Sequence, residues 1–293
     1  MKDTGELLAK VRKIEIKTKR MVDELTGGAY HSVFKGRGIE FSEVREYTFD
    51  DDVRDIDWNV TARTNVPHIK KYSEERELTV ILAVDISASG LFGSAELSKR
   101  EKMTEGAALL ALSAIRNNDK VGLLLFTEET ELYLPPRSGR THGLRLIREL
   151  LGAEGRKKGT NIASALETLA KVLKKRAVIF LISDFIDGND YEKTLKIVAR
   201  KHDLVAMRVL DEKELSLPVL PGLELLDAES GKSFSFSATG KNPEKFRIAA
   251  EKEEREVSEL CRRSKVDLID VRCGEDLVRP LMSFFRSRKK LAR

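Results

Sequence analysis

From Leu78 onward the chain alternates short, branched-rich apolar runs with longer segments of helical period, a pattern that few folds accept. The runs are residues 78–84, 121–126, 177–182, 204–210 and 266–271, with a shorter one at 131–134. Runs of this length with apolar residues at successive positions belong to strands buried on both faces. Helical patterns lie between them near residues 96–116, 141–151, 161–175 and 190–201, and again at 243–264 and 275–288. In the third of these, Ile162, Leu166, Leu169 and Leu173 form one apolar stripe. The alternation predicts an α/β fold, a doubly wound and mostly parallel sheet with helices on both faces. Residues 223–236 interrupt the winding and are predicted to form a β-hairpin turning at Ser230-Gly231-Lys232.

Before this domain, at residues 1–77, the pattern differs. Leu7, Val11, Ile14, Met21 and Leu25 recur at helical spacing, so an amphipathic helix opens the chain and Gly27-Gly28 ends it. Residues 30–77 read as short alternating segments, a small strand-and-loop subdomain leading into the 78–293 domain. Arg45, Glu46, Asp51, Asp52, Arg54, Asp55, Asp57 and Arg63 crowd around Tyr47 and Trp58. Such a density of opposite charges predicts a salt-bridged knot docked against the main domain. Arg45, Arg54, Trp58 and Arg63 are also candidates for a partner-binding face, because Arg and Trp are common interface anchors.

Composition narrows the class. Hydrophobic residues make up 41% of 293, without the run of 18 or more that a transmembrane helix needs. The charged opening MKDTGELLAKVRK lacks the apolar core of a signal peptide, so a cytoplasmic location is expected. There, Cys261 and Cys273 are expected to be thiols rather than a disulfide. The 53 basic and 48 acidic residues give a net charge of +5 on a mixed-charge surface. Basic residues gather at the ends: Lys10, Arg12, Lys13, Lys17, Lys19 and Arg20 in the opening helix, then Arg286, Arg288, Lys289, Lys290 and Arg293. These read as a solvated helix face and a frayed tail. Nucleic acid is not an expected partner, since no aromatic-rich basic platform accompanies them.

The chemistry concentrates at two strand ends. Asp85 ends the run 78–84, with Ser87 and Ser89 following at i+2 and i+4 in DISAS. Asp184 closely follows the run 177–182, and Thr160 sits in Gly159-Thr160-Asn161 at a helix start. In an open parallel sheet, ligands collect outside the carboxyl ends of the strands. Two carboxylates and three hydroxyls, with no thiol or imidazole, suit a hard divalent cation such as Mg²⁺. Each residue has a plainer role available, Asp as a turn former and Ser or Thr as a helix cap. Their joint occurrence on these strand ends favours the cation. Five protein ligands leave a position open for water or an acidic partner group.

Other chemistries fit worse. Glu229–Ser233 imitates the tail of a phosphate-binding P-loop, but Leu226 stands where its first glycine belongs and no helix follows at once. A haloacid-dehalogenase-type phosphotransferase would need an aspartate where Ser87 stands. No G-x-S-x-G elbow is present. His31, His68, His142 and His202 are scattered, with no pair at metal spacing. A metal-dependent phosphoester hydrolase stays open as the alternative, since an open-position cation can polarise an oxygen.

The order D-x-S-x-S, then GT-x, then Asp after the next buried strand, resembles the metal-ion-dependent adhesion site of von Willebrand factor A domains. That resemblance implies Mg²⁺ or Mn²⁺ held by Asp85, Ser87, Ser89, Thr160 and Asp184, some directly and some through water, with a partner carboxylate at the open position. The strings GRGIEFSEVREY, DDDVRDIDWNVTART and KKYSEERELTVILAVD resemble the bacterial family catalogued as domain of unknown function 58. Asp50 stands where that family usually has a glycine, and Gly90 where a methionine often follows the serines. The family implies a von Willebrand A-like core and a partner system built on a MoxR-type AAA+ ATPase. The expected function is therefore a non-enzymatic, metal-dependent interaction module.

Overall fold

The structure, a computed structural model, describes residues 40–73, 77–215, 222–226, 228, 231–236 and 242–291. The expected opening helix and its basic cluster lie outside these residues. Lys35–Leu78 forms one compact unit, and the chain from Thr79 onward belongs to a second.

In the smaller unit, β1 (Glu40–Glu46) and β2 (His68–Ser73) pair antiparallel, with a register shift between Phe41 and Glu43. A 3-10 turn at Val53–Asp55 and a short helix at Trp58–Thr64 connect them. The charges expected to make one knot are divided among separate tasks. Arg45 grips Asp51 through both guanidinium nitrogens at 2.8 and 2.6 Å. Asp52 caps the 3-10 turn and Asp57 caps the helix, while Arg54 and Arg63 are exposed. The turn closes from the Asp51 N–H to the Thr48 carbonyl at 2.9 Å. Asp50 is not among the residues with positive φ, so the turn does not require the family's glycine there.

The larger unit carries a six-stranded sheet in the order β10-β7-β6-β3-β4-β5. The strands are β3 (Thr79–Asp85), β4 (Lys120–Phe126), β5 (Thr130–Arg137), β6 (Val178–Ser183), β7 (Asp203–Leu210) and β10 (Asp267–Arg272). All neighbours are parallel except β4 and β5. The expected doubly wound α/β architecture therefore forms. β5 runs longer than the expected 131–134 and includes Pro135 and Pro136. Proline donates no ladder hydrogen bond, and an edge strand is where a sheet tolerates it. Between β7 and β10, β8 (Leu223–Leu226) and β9 (Ser233–Phe236) make the expected antiparallel hairpin. Gly231 adopts φ +69° in its connection, part of which lies outside the described residues.

Both faces of the sheet are covered. On one, the stripe Ile162, Leu166, Leu169 and Leu173 packs with Ile81, Ala83, Leu124, Ile179 and Leu181. The other receives the Lys99–Arg116 helix, with Met103, Ala107, Leu110 and Ala114 fully or nearly buried. This helix lies so close that a Cβ on Gly106 would come within 2.3 Å of the Met207 methyl. Ser98 starts the helix with a capping box closed by Glu101. From β3 the chain winds outward through β4 and β5, then returns to β6 on the other side of β3. The order reverses between β3 and β6, so their carboxyl ends flank the crevice where such sheets take ligands.

The basic end is not frayed where it is described. Arg288, on the Val278–Leu291 helix, grips Asp203 at 2.9 and 2.7 Å and Asp267 at 2.6 Å. Its guanidinium also lies 5.1 Å from the centre of the Phe284 ring. The last helix is thereby pinned to the starts of two neighbouring strands. Cys261 and Cys273 are free and buried, and burial pushes each thiol up to about 11. Among the described residues, no helix is long and apolar enough to cross a membrane.

Candidate metal centre

β3 ends at Asp85 because the strand stays buried to its last residue and then must turn. Asp85 is 2% exposed. One carboxylate oxygen accepts the Ser87 N–H at 2.8 Å, an Asx-type turn, and the other accepts the Ser183 hydroxyl at 2.7 Å. The Ser87 and Ser89 hydroxyls lie 3.0 Å apart, both buried. The carboxylate and both hydroxyls of DISAS thus gather at the sheet crest.

The loop carrying Thr160 lies alongside. The Ala88 N–H donates to the Lys158 carbonyl at 2.9 Å, and the Asn161 N–H to the Thr127 carbonyl at 3.0 Å. Thr160 is buried, and its own carbonyl accepts from Asn189 at 3.2 Å. The approach depends on Gly155, where a Cβ would lie 2.5 Å from the Ile86 carbonyl oxygen. Arg100 binds the same turn from the other side, donating to the Ile86 carbonyl and, at 3.0 Å, to that of Ser87.

Asp184 follows β6 and is also buried. One oxygen accepts the Ile186 N–H at 3.2 Å, closing a turn in which Phe185 takes φ +60°. That left-handed conformation is strained for an aromatic residue. It is held by the Phe185 N–H donating to Ser183 at 2.9 Å and by packing of the buried ring near Tyr191. The other Asp184 oxygen accepts from Lys99 at 2.7 Å. The Lys99 side chain is fully buried and also reaches Glu214 at 2.5 Å.

The electrostatics of the pair favour a cation. Burial, and next the charge of Asp184, raise the Asp85 carboxyl to about 7, against the Ser87 and Ser183 hydrogen bonds. Two mutually repelling carboxylates beside two hydroxyls form an oxygen set that a hard divalent ion would stabilise. Lys99 modifies this picture. Burial alone would lower its ammonium, but Asp184 and Glu214 outweigh burial and raise it. Burial pushes Glu214 up in spite of Lys99. One Asp184 oxygen is therefore already occupied by an internal cation, and Asp85 is the less neutralised carboxylate. Among the described residues no group of three or more His, Cys, Asp or Glu is arranged to hold a metal. The candidate set has two carboxylates and relies on hydroxyls for the rest.

Ser183, Lys99, Arg100 and Glu214 are the members that residue patterns alone did not single out. Lys99 did leave a trace in the sequence. A lysine in the first turn of a helix faces the positive end of the helix dipole, so an unseen anion is the natural explanation. The partner candidates of the smaller unit separate into two kinds. Arg45 is engaged by Asp51, whereas Trp58 is 67% exposed and Arg54 and Arg63 are exposed with it.

Comparison with known proteins gives the family and the fold. An uncharacterized protein of Mycobacterium tuberculosis is 30% identical over 290 residues, covering 98% of this chain and 92% of that protein. A second, from Mycobacterium avium, is 26% identical over 159 residues, covering 54% of this chain and 94% of that one. Among solved structures, the conserved hypothetical protein BatB from Bacteroides thetaiotaomicron is 20% identical with a TM-score of 0.50. The match covers 73% of this chain and 99% of BatB, and what the two share is the fold, an α/β one with a mostly parallel central sheet. The model of the family described as "Protein of unknown function DUF58" matches residues 43–259, and the chain belongs to that family.

Proposed function

We propose that this chain is a non-enzymatic, metal-dependent protein-interaction module. Asp85, Ser87, Ser89 and Thr160 would hold Mg²⁺ or Mn²⁺ together with Asp184, and a carboxylate of a protein partner would complete the shell. The observation that carries the reading is the buried Asp85, its carboxyl raised to about 7 by burial and the neighbouring Asp184, with two hydroxyls 3.0 Å apart beside it. Such a site gains most from a divalent ion, and an ion with few protein charges still attracts another carboxylate. Lys99 on Asp184 keeps the protein's own charge low. Lys99 and Glu214 are joined in an ion pair, which leaves neither as a free base and argues against the phosphoester hydrolase.

The family resemblance points to a MoxR-type AAA+ ATPase as the partner system. The deciding experiment is capture of partners from native lysate with Mg²⁺ and with EDTA, using the parent chain and Asp85→Ala. Metal-dependent recovery of an AAA+ ATPase, lost in the variant, is the expected result. Equal recovery in EDTA and with Asp85→Ala overturns the reading. EDTA-sensitive turnover of generic phosphoesters would favour the hydrolase instead.

A further inference from the structure

We propose that the groove beside Asp184 receives a basic, amphipathic segment of the protein partner, which then engages the cation and this groove together. Only the identity of the partner rests on the metal-dependent reading; the groove stands on its own geometry.

The groove, about 980 Å³, runs from the loop after β6, past the end of β7, along one side of the Asn242–Ser264 helix. Nine carboxylates and two arginines line it, although the whole chain carries +5. Lys99 pairs with Asp184 and Glu214, Lys196 pairs with Glu192 and Lys252 lies 3.7 Å from Glu256, so the remaining excess sits on the other carboxylates, and the two arginines do little to offset it. Arg208 spends its guanidinium on Asp270 at 2.8 and 3.0 Å and on the Glu254 carbonyl at 2.9 Å. Arg263 comes only within 3.7 Å of Glu192. Among the described residues, Glu253 and Glu259 have no ion-pair partner, and one carboxylate oxygen of Glu254 is buried without a hydrogen bond.

Acidity alone would describe a solvated helix face. The lining here also has an apolar part: Phe246 and Ile186, with Val257 and Leu260, which are partly buried against the core, and the buried Phe185 and Leu210. Ile186 is 49% exposed. Phe246, Ala250, Val257 and Leu260 recur at spacings of four, seven and three, one face of the helix. An apolar strip edged by Glu253 and Glu259, which have no ion-pair partner among the described residues, matches a partner segment with apolar residues on one face and Lys or Arg at its margins. Helix-in-groove recognition has this form, and the charge asymmetry would steer and orient the encounter.

The probe is a fluorescent helical peptide of Leu and Lys at amphipathic spacing, its anisotropy followed on the full chain in EDTA and in Mg²⁺. Binding is expected in both, and to weaken about tenfold or more, about 1.4 kcal/mol, in the triple variant E253K/E256K/E259K. Phe246→Ala should weaken it as well, which charge attraction alone would not produce. The control E129K/E149K/E167K makes the same charge change elsewhere and should bind like the parent. Circular dichroism checks that each variant is folded. Equal losses in the two triple variants, or no loss with Phe246→Ala, overturn the proposal. Peptide binding that appears only in K10E/K13E/K17E also overturns it, since this chain's own opening segment would then be the occupant. Asp85→Ala should retain the peptide even where it loses Mg²⁺, so failure of the metal site and failure of the groove are separable.

Discussion

Replacing Lys99 by Met separates two effects that the buried triad combines. In the parent, the fully buried ammonium lies 2.7 Å from Asp184, whose side chain is 1% exposed, and 2.5 Å from Glu214. Methionine fills similar volume without charge, so the metal-free variant leaves Asp184 buried and unpaired. Removing one partner of a buried pair costs roughly 3–5 kcal/mol. Glu214 loses its partner too, but with its side chain 26% exposed it adds less to that loss than Asp184. For a domain of this size each kcal/mol lowers Tm by roughly 2–4 °C, so a drop of roughly 10 °C is expected in EDTA. A divalent ion should then recover much of it. The variant site has one positive charge fewer and binds the ion more tightly, and ligand at about 100 times Kd returns about 2.7 kcal/mol. Thermal and urea unfolding of parent and variant, each with EDTA and with saturating Mg²⁺, measure both effects. The reasoning is refuted if Lys99→Met matches the parent in EDTA, or if Mg²⁺ stabilises it no more than the parent.

Four other perturbations follow from the same contacts. Asp85 is raised to about 7 by burial and Asp184, so its contribution to metal-free stability is full below about pH 4 and falls as pH rises through 7. Asp85→Asn should flatten that decline, and Mg²⁺ binding by the parent should strengthen from pH 6 to 8, both read by titration calorimetry and urea unfolding. Gly155→Ala puts a methyl 2.5 Å from the Ile86 carbonyl and should cost about 1–3 kcal/mol by overpacking, with weaker Mg²⁺ binding in calorimetry. Arg288→Ala removes the hydrogen bonds to Asp203 and Asp267; a loss of about 1.5–3 kcal/mol in urea unfolding is expected for bonds between charged groups. Trp58→Ala changes an exposed side chain and should stay within about 0.5 kcal/mol of the parent in unfolding. Its recovery of partners from lysate should fall if this face contributes to binding.

The strands were legible because burial on both faces leaves almost no polar residue between turns, as in Val80–Val84 or Val178–Ile182. Their ends shifted by a residue or so, and the largest error was β5. There Pro135 and Pro136 argue against a strand in a sheet interior, yet an edge position permits them. Helix starts were read early where apolar period outran the cap: Ser98, not residue 96, begins the helix after DISAS. At the candidate site, Asp85, Ser87 and Ser89 are local in sequence and could be read together. Lys99, 85 residues before Asp184, and Glu214, 115 residues after Lys99, meet only through the fold. In the charge-rich 45–63 segment, composition reports density of charge and not who faces whom, so the division of its acids between Arg45 and the caps was not legible. Asp52 and Asp57 accept backbone N–H groups at their caps, and Asp51 accepts both the Thr48 N–H and the Arg45 guanidinium.

The strained turn at Phe185 places a thermodynamic constraint on the whole surface. Asp184, on one side of it, belongs to the proposed cation site, while Ile186 and Tyr191, on the other, line the groove. The loop is a single short stretch of backbone with a left-handed residue at its start, the kind of element that two ligands can both bias. Whatever factor a bound cation adds to the affinity of a segment in the groove, that segment must add the same factor to the affinity for the cation. The two affinities therefore need to be measured together. A titration of one ligand at fixed levels of the other would give one coupling constant, approached from either direction.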